Sequence, residues 1–239
     1  MRARPDWAGP EETSPGATAW MQSLLTCLGF VTLIIQVTLI RQLLVLFAGN
    51  DLFLGMILPL WLLGFAGGSS LGARIAENRH RLLAVVILPV TVLFPATIAF
   101  MRNARHFMGM TSGANLLPGE ALLLATICIL PTAFILGLQY PLAVSILGGD
   151  DRAASRAYRL EAIGAFLGGL FFVFFLSTRV DGVSLATAAA AALALIMAPL
   201  AGSRRLALLA LVPLVLQAAL PGSIRAPVLA GYETLQVGE

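Results

Sequence analysis

Arg41 and Glu161 are ionisable residues inside stretches of this sequence that are otherwise apolar over the length of a membrane span. A charge at the centre of a bilayer costs about 2.5–3.5 kcal/mol on insertion scales, so such residues bind ions or substrates, relay protons, or reach the interface. Arg41 lies near the end of its apolar run, where its long side chain can snorkel to the surface. Asp51, beyond the polar corner Gly49-Asn50-Asp51, is a partner for it. Glu161 reads as a residue of the first turn of its helix, where the positive end of the dipole favours a carboxylate, with Arg156 and Arg159 as neighbouring partners. Anchoring is the favoured reading for both charges. Gln36 and Arg159 complete the set of candidate intramembrane or interfacial residues.

No catalytic, cofactor-binding or metal-binding set accompanies them. His80 and His106 fall between apolar runs with no Cys or carboxylate cluster around them, and the chain has no GxSxG, P-loop or HExxH motif. The glycine-rich run Gly67 to Gly72 lies in an apolar segment, where it cannot cradle a phosphate. Cys27 and Cys128 are far apart with no CxxC spacing, and read as small buried hydrophobes. Gly64, Gly68 and Gly72 recur at intervals of four, as do Gly164 and Gly168. Small residues at that spacing let helix backbones approach closely in lipid; helix packing is the expectation, and a substrate path lined by bare backbone is the alternative.

Long apolar helices must position these residues. Hydrophobic residues make up 59% of the 239 and charged residues only 11%, with mean hydropathy +0.91. Ordinary globular chains run about 45–50% apolar and about 25% charged, so the balance excludes a soluble domain of this size. A spanning helix needs about 20 apolar residues. That ruler gives about seven spans: Met21–Phe47, Leu52–Gly72, Leu82–Met101, Ala121–Leu147, Leu160–Ser177, Val183–Leu200 and a short, Pro-interrupted Leu206–Leu220. The runs are continuously apolar, unlike the alternating ten-residue strands of a barrel. The fold class is therefore all-α, a polytopic transmembrane helical bundle. Residues 1–19, rich in Pro and mixed charge, read as a disordered tail; residues 20–221 form the membrane domain; residues 222–239 read as a linker or the start of a soluble domain.

All fifteen basic residues are Arg, which suits interface anchoring, and no nucleic-acid partner is expected. With the N-terminus inside, ten of them fall in cytoplasmic segments and five outside, which favours that orientation by the positive-inside rule. The expected location is the bacterial inner membrane, with the lipid bilayer as partner.

Gln36 to Asn50 (QVTLIRQLLVLFAGN) and Trp61 to Arg74 (WLLGFAGGSSLGAR) resemble the first two helices of membrane-bound spermidine synthase-like proteins. Pro131 to Leu142 (PTAFILGLQYPL) and Tyr158 to Gly169 (YRLEAIGAFLGG) resemble later parts of the same domain, in the same order. Many relatives carry Glu where Gln36 stands. The resemblance implies a non-catalytic membrane domain that anchors or serves a polyamine aminopropyltransferase-like domain or partner subunit; no aminopropyl-transfer role falls on any residue here, and no cofactor is expected. Seven spans would put the C-terminus outside, away from cytosolic substrates: either the marginal seventh segment does not cross, or the charge bias misleads, or the attached domain is not a cytosolic polyamine enzyme.

Gly72 to Arg81 also resembles the glycine-and-basic loop of major facilitator transporters, so a small carrier is the alternative reading, alongside a non-catalytic anchor subunit. A polyamine path needs carboxylates or an aromatic cage facing a cavity. Glu120, Tyr140, Asp150, Asp151 and Glu161 are the residues able to supply them.

Overall fold

The computed structural model describes residues 15–47, 49, 52–75, 79–108, 117–147, 151–177, 180 and 182–201. Among these there is no strand. Six helices follow one another: α1 (Pro15–Leu46), α2 (Leu52–Arg74), α3 (Arg79–Phe107), α4 (Pro118–Ile146), α5 (Asp151–Phe171) and α6 (Gly182–Ala201), with a turn of π-helix over Phe172–Leu176 extending α5. Four are long and apolar enough to cross a membrane: Ala19–Leu46, Leu52–Arg74, Pro118–Ile146 and Asp151–Leu176. In α3 and α6 the apolar stretches are shorter, Leu88–Ala104 and Gly182–Ile196. The seventh expected span, Leu206–Leu220, lies outside the described residues, as do Asp51, Asp150 and the first fourteen residues.

Three boundaries differ from the sequence reading, the first being α1, which starts at Pro15, inside the stretch read as a disordered tail. Helix α5 starts at Asp151, well before the expected Leu160, because Asp151 to Arg159 is polar but made largely of helix-favouring Ala and Arg. A ruler of apolarity measures burial in lipid, not helicity. Helix α3 likewise runs on through Arg102 to Phe107.

Local signals end and start the helices. Gly49, at φ +73°, closes α1 by donating its N–H to the Leu44 carbonyl at 2.8 Å, a left-handed cap that glycine adopts without strain. Helix α4 opens on Pro118, and the Glu120 carboxylate accepts the Leu117 N–H at 3.2 Å. Pro59, Pro89, Pro95, Pro131 and Pro141 all sit inside helices.

Glycine contacts set the direction of packing. Gly64 faces Leu130 and Ala133, Gly68 faces Phe134, and Gly72 faces Leu138 and Pro141, so α2 and α4 run parallel. Gly164 faces Thr26 and Gly168 faces Phe30, so α1 and α5 also run parallel. Gln139 and Tyr140, near the end of α4, bond to Glu161 and Ala154 of α5, which makes α4 and α5 an antiparallel hairpin. Helix α3, at about 1.5 Å per residue some 43 Å long, carries the chain back between the parallel α2 and α4. Gln42 of α1 meets Gly182, whereas Cys27 lies with Ala192 and Ile196, so α6 runs antiparallel to α1.

The six helices therefore form two three-helix repeats of opposite direction. Gly64 and Gly68 of α2 correspond to Gly164 and Gly168 of α5, and Leu130 and Phe134 of α4 correspond to Thr26 and Phe30 of α1. The first repeat, α1–α3, is matched by α4–α6.

The core is built of Leu28, Ile35, Leu39, Leu43, Ile57, Phe94, Ile98, Ile129, Leu136 and Leu142, all essentially inaccessible. The outside is apolar as well: Leu62, Leu63, Phe166, Phe174 and Leu195 are exposed. So large an exposed apolar surface is compatible with lipid, not water, around these helices.

Candidate functional site

Most polar side chains on the helices bond within their own helix. Thr38, Ser70, Thr97, Thr126, Ser177 and Thr187 each donate to the carbonyl four residues back, which hides a hydroxyl from an apolar surround. Gln139 does otherwise. Buried on α4 at 1% exposure, it donates from Nε2 to Glu161 Oε1 on α5 at 3.2 Å and to Thr32 Oγ1 on α1 at 3.4 Å. Three helices are thereby tied by one amide. Its Oε1, and the buried Thr132 Oγ1 two turns earlier, have no hydrogen-bond partner among the described residues.

Glu161 is brought to that amide by glycine. A side chain at Gly29 would strike the backbone oxygen of Glu161 and stand 2.9 Å from its Cα. Only because Gly29 has no Cβ can α5 lie close enough to α1 for the carboxylate to reach the Thr32–Gln139 layer. Glu161 sits in the third turn of α5, not the first, since the helix begins ten residues earlier. Among the described residues it has no ion-pair partner, and neither Arg156 nor Arg159 pairs with it; Arg159 points to the exposed side of α5.

The carboxylate lines an open cavity of about 740 Å³ between α2 and α5, with Tyr140 of α4 beside it. Leu62, Phe65, Ala66 and Ser69 of α2 form one wall, and Tyr158, Glu161, Ala162 and Ala165 of α5 the other. Tyr140 donates its hydroxyl to the Ala154 carbonyl at 3.4 Å and lines the cavity. A volume of this size suits a small ligand, and an apolar wall with a few convergent polar groups is the usual form of such a site. No protein-family model matches the chain, and neither the curated proteins nor the solved structures contain a match.

The other residues singled out from sequence are dispersed. Gln36 is half-buried on α1, at the position that the repeat makes equivalent to Tyr140. Arg41 is exposed near the end of α1. Glu120 caps α4 and Asp151 starts α5, both exposed and away from the cavity wall. Cys128 is buried, whereas Cys27 is exposed beside an apolar cleft between α1, α5 and α6, which corrects its reading as a core residue. Gly64, Gly68, Gly72, Gly164 and Gly168 lie along the two parallel helix pairs. No group of three or more metal-ligating side chains forms among the described residues.

Sequence reasoning missed Gln139 and Tyr158. The signal for Gln139 was present: a lone amide in the apolar run of α4 needs a partner on another helix.

Proposed function

We propose that this chain is a membrane-embedded, non-catalytic domain of the spermidine synthase-like kind, which receives an organic cation in the α2–α4–α5 cavity and serves an aminopropyltransferase-like domain or partner subunit. The observation that carries this reading is Glu161: a carboxylate without an ion-pair partner among the described residues, fixed by Gln139, in a cavity flanked by two tyrosines. A carboxylate beside aromatic rings is the chemistry that recognises ammonium groups. The four resembling segments contribute α1, α2, α4 and α5, the helices that make the seams and the cavity. In this reading all six helices cross the bacterial inner membrane with the N-terminus inside.

A second reading is a small carrier. Secondary transporters are built from inverted repeats with the substrate site between them, including three-plus-three repeats within one six-helix half, and the matched glycine contacts of the two repeats favour it.

Purified chain in proteoliposomes separates the two. With 2-phenylethylammonium, putrescine and spermidine as probes, saturable binding of any of these cations without accumulation supports the serving domain, and accumulation abolished by Glu161→Gln supports the carrier; binding of none of them overturns both readings. Incubation with putrescine and decarboxylated S-adenosylmethionine should yield no spermidine above a protein-free control. For orientation, Arg74 at the end of α2 and the start of α5 lie at the same end of the bundle. A cysteine at Ser155 should be protected from an impermeant reagent in intact cells, and one at Gly119 labelled. The reverse pattern overturns the orientation.

A further inference from the structure

We infer that the cavity at Glu161 selects a ligand with one ammonium group and an apolar body, and discriminates against polycations. This rests on the reading of the cavity as a ligand site and narrows the ligand's chemistry.

One formal negative charge faces the cavity. Apart from Glu161 its wall is Leu62, Phe65, Ala66, Ala162 and Ala165, with the hydroxyls of Ser69, Tyr140 and Tyr158. An ammonium at the carboxylate would gain a charge-assisted hydrogen bond and the faces of two tyrosine rings. A second ammonium on the same molecule, a few carbons away, would lie against Phe65, Leu62 or the alanines, where burying an unpaired charge is costly. The next acid on α5, Asp151, stands ten residues earlier, about 15 Å along the axis, and is exposed.

The buried amide adds an independent sign. Gln139 is 1% exposed, and its Oε1 has no partner among the described residues, a costly arrangement for a residue that serves packing alone. Its Nε2 holds Glu161 Oε1, which leaves Oε2 as the acceptor for a ligand. Two sources offer the same chemistry: a free amine, or the ethanolamine headgroup of a lipid entering between α2 and α5.

The test is equilibrium dialysis of radiolabelled 2-phenylethylammonium against the full chain in phosphatidylcholine nanodiscs. Saturable binding is expected, undisturbed by the neutral isostere 2-phenylethanol and by spermidine at equal concentration. Glu161→Gln should weaken it about tenfold or more, and Tyr158→Leu, an exposed position, about threefold. Introducing phosphatidylethanolamine into the disc identifies the source: competition assigns the site to the headgroup, and its absence to free amine. Displacement by spermidine, or binding equal in Glu161→Gln or by the neutral isostere, overturns the single-charge selection while leaving a ligand site in place. Saturable binding of neither amine removes the ligand-site reading itself.

Discussion

The α2–α4 and α1–α5 pairs share one parallel, glycine-lined construction, and among the positions where they differ is the layer of Trp61 and Glu161. In each, glycines of one helix lie against backbone carbonyls of a parallel partner: Gly64 and Gly68 on Leu130 and Phe134, Gly164 and Gly168 on Thr26 and Phe30. In each, the partner helix returns the favour, Gly137 against Phe65 and Gly29 against Glu161. One position before the first matched glycines by three residues stands Trp61 in the first repeat, buried in the core, and Glu161 in the second. One scaffold thus holds a buried aromatic in one copy and a cavity-lining carboxylate in the other. Close backbone approach supplies the rigidity, and it is indifferent to which side chain it carries.

The sharpest way to break this comparison is to overfill both seams. Gly68→Leu and Gly164→Leu each drive a side chain onto a backbone carbonyl, which cannot rotate aside as a side chain can. Each should cost about 3 kcal/mol or more, read as a fall in thermal midpoint in detergent or failure to accumulate. Unequal losses would show that the two pairs are not mechanically equivalent, and an unchanged melt in either would show that its seam is not packed.

Smaller, and more telling about function, is the contrast at the layer where the repeats diverge. Trp61→Gln empties a core site and should cost about 3–5 kcal/mol. Glu161→Gln keeps shape and hydrogen-bonding capacity and should change stability by about 1 kcal/mol or less while removing cation binding. Equal destabilisation by the two substitutions would make Glu161 another packing residue. The smallest effect belongs outside both seams: Gly55, on the same helix as Gly68 but with no atom within 4 Å of an added Cβ, should accept Leu within about 0.5 kcal/mol.

What the sequence determined by itself is the part of the molecule that its solvent dictates. Apolar runs of spanning length, interrupted by Arg-bearing corners, specify helices, because lipid offers no partner for a backbone N–H and only a helix satisfies each one locally. Five of the six helices begin or end within a few residues of those runs, and the spacing of the glycines is visible without coordinates. Glu161 stood out for the same reason, as a charge in an apolar run. Which groups meet it was not legible. Arg156 and Arg159 are its neighbours along the chain, yet a helix turns about 100° per residue, and α5 directs Arg159 outward while Glu161 turns toward α4. Its partner, Gln139, belongs to another helix and is met only because Gly29 lets α1 and α5 close up. The inverted repeat was hidden likewise, since it resides in matched contacts between helices and shows in sequence only as a few glycines. Local chemistry and solvent fixed the helices; their parallel pairing across the chain, a matter of which small residues face each other, placed one carboxylate, held by a buried amide, and two tyrosines around a common space.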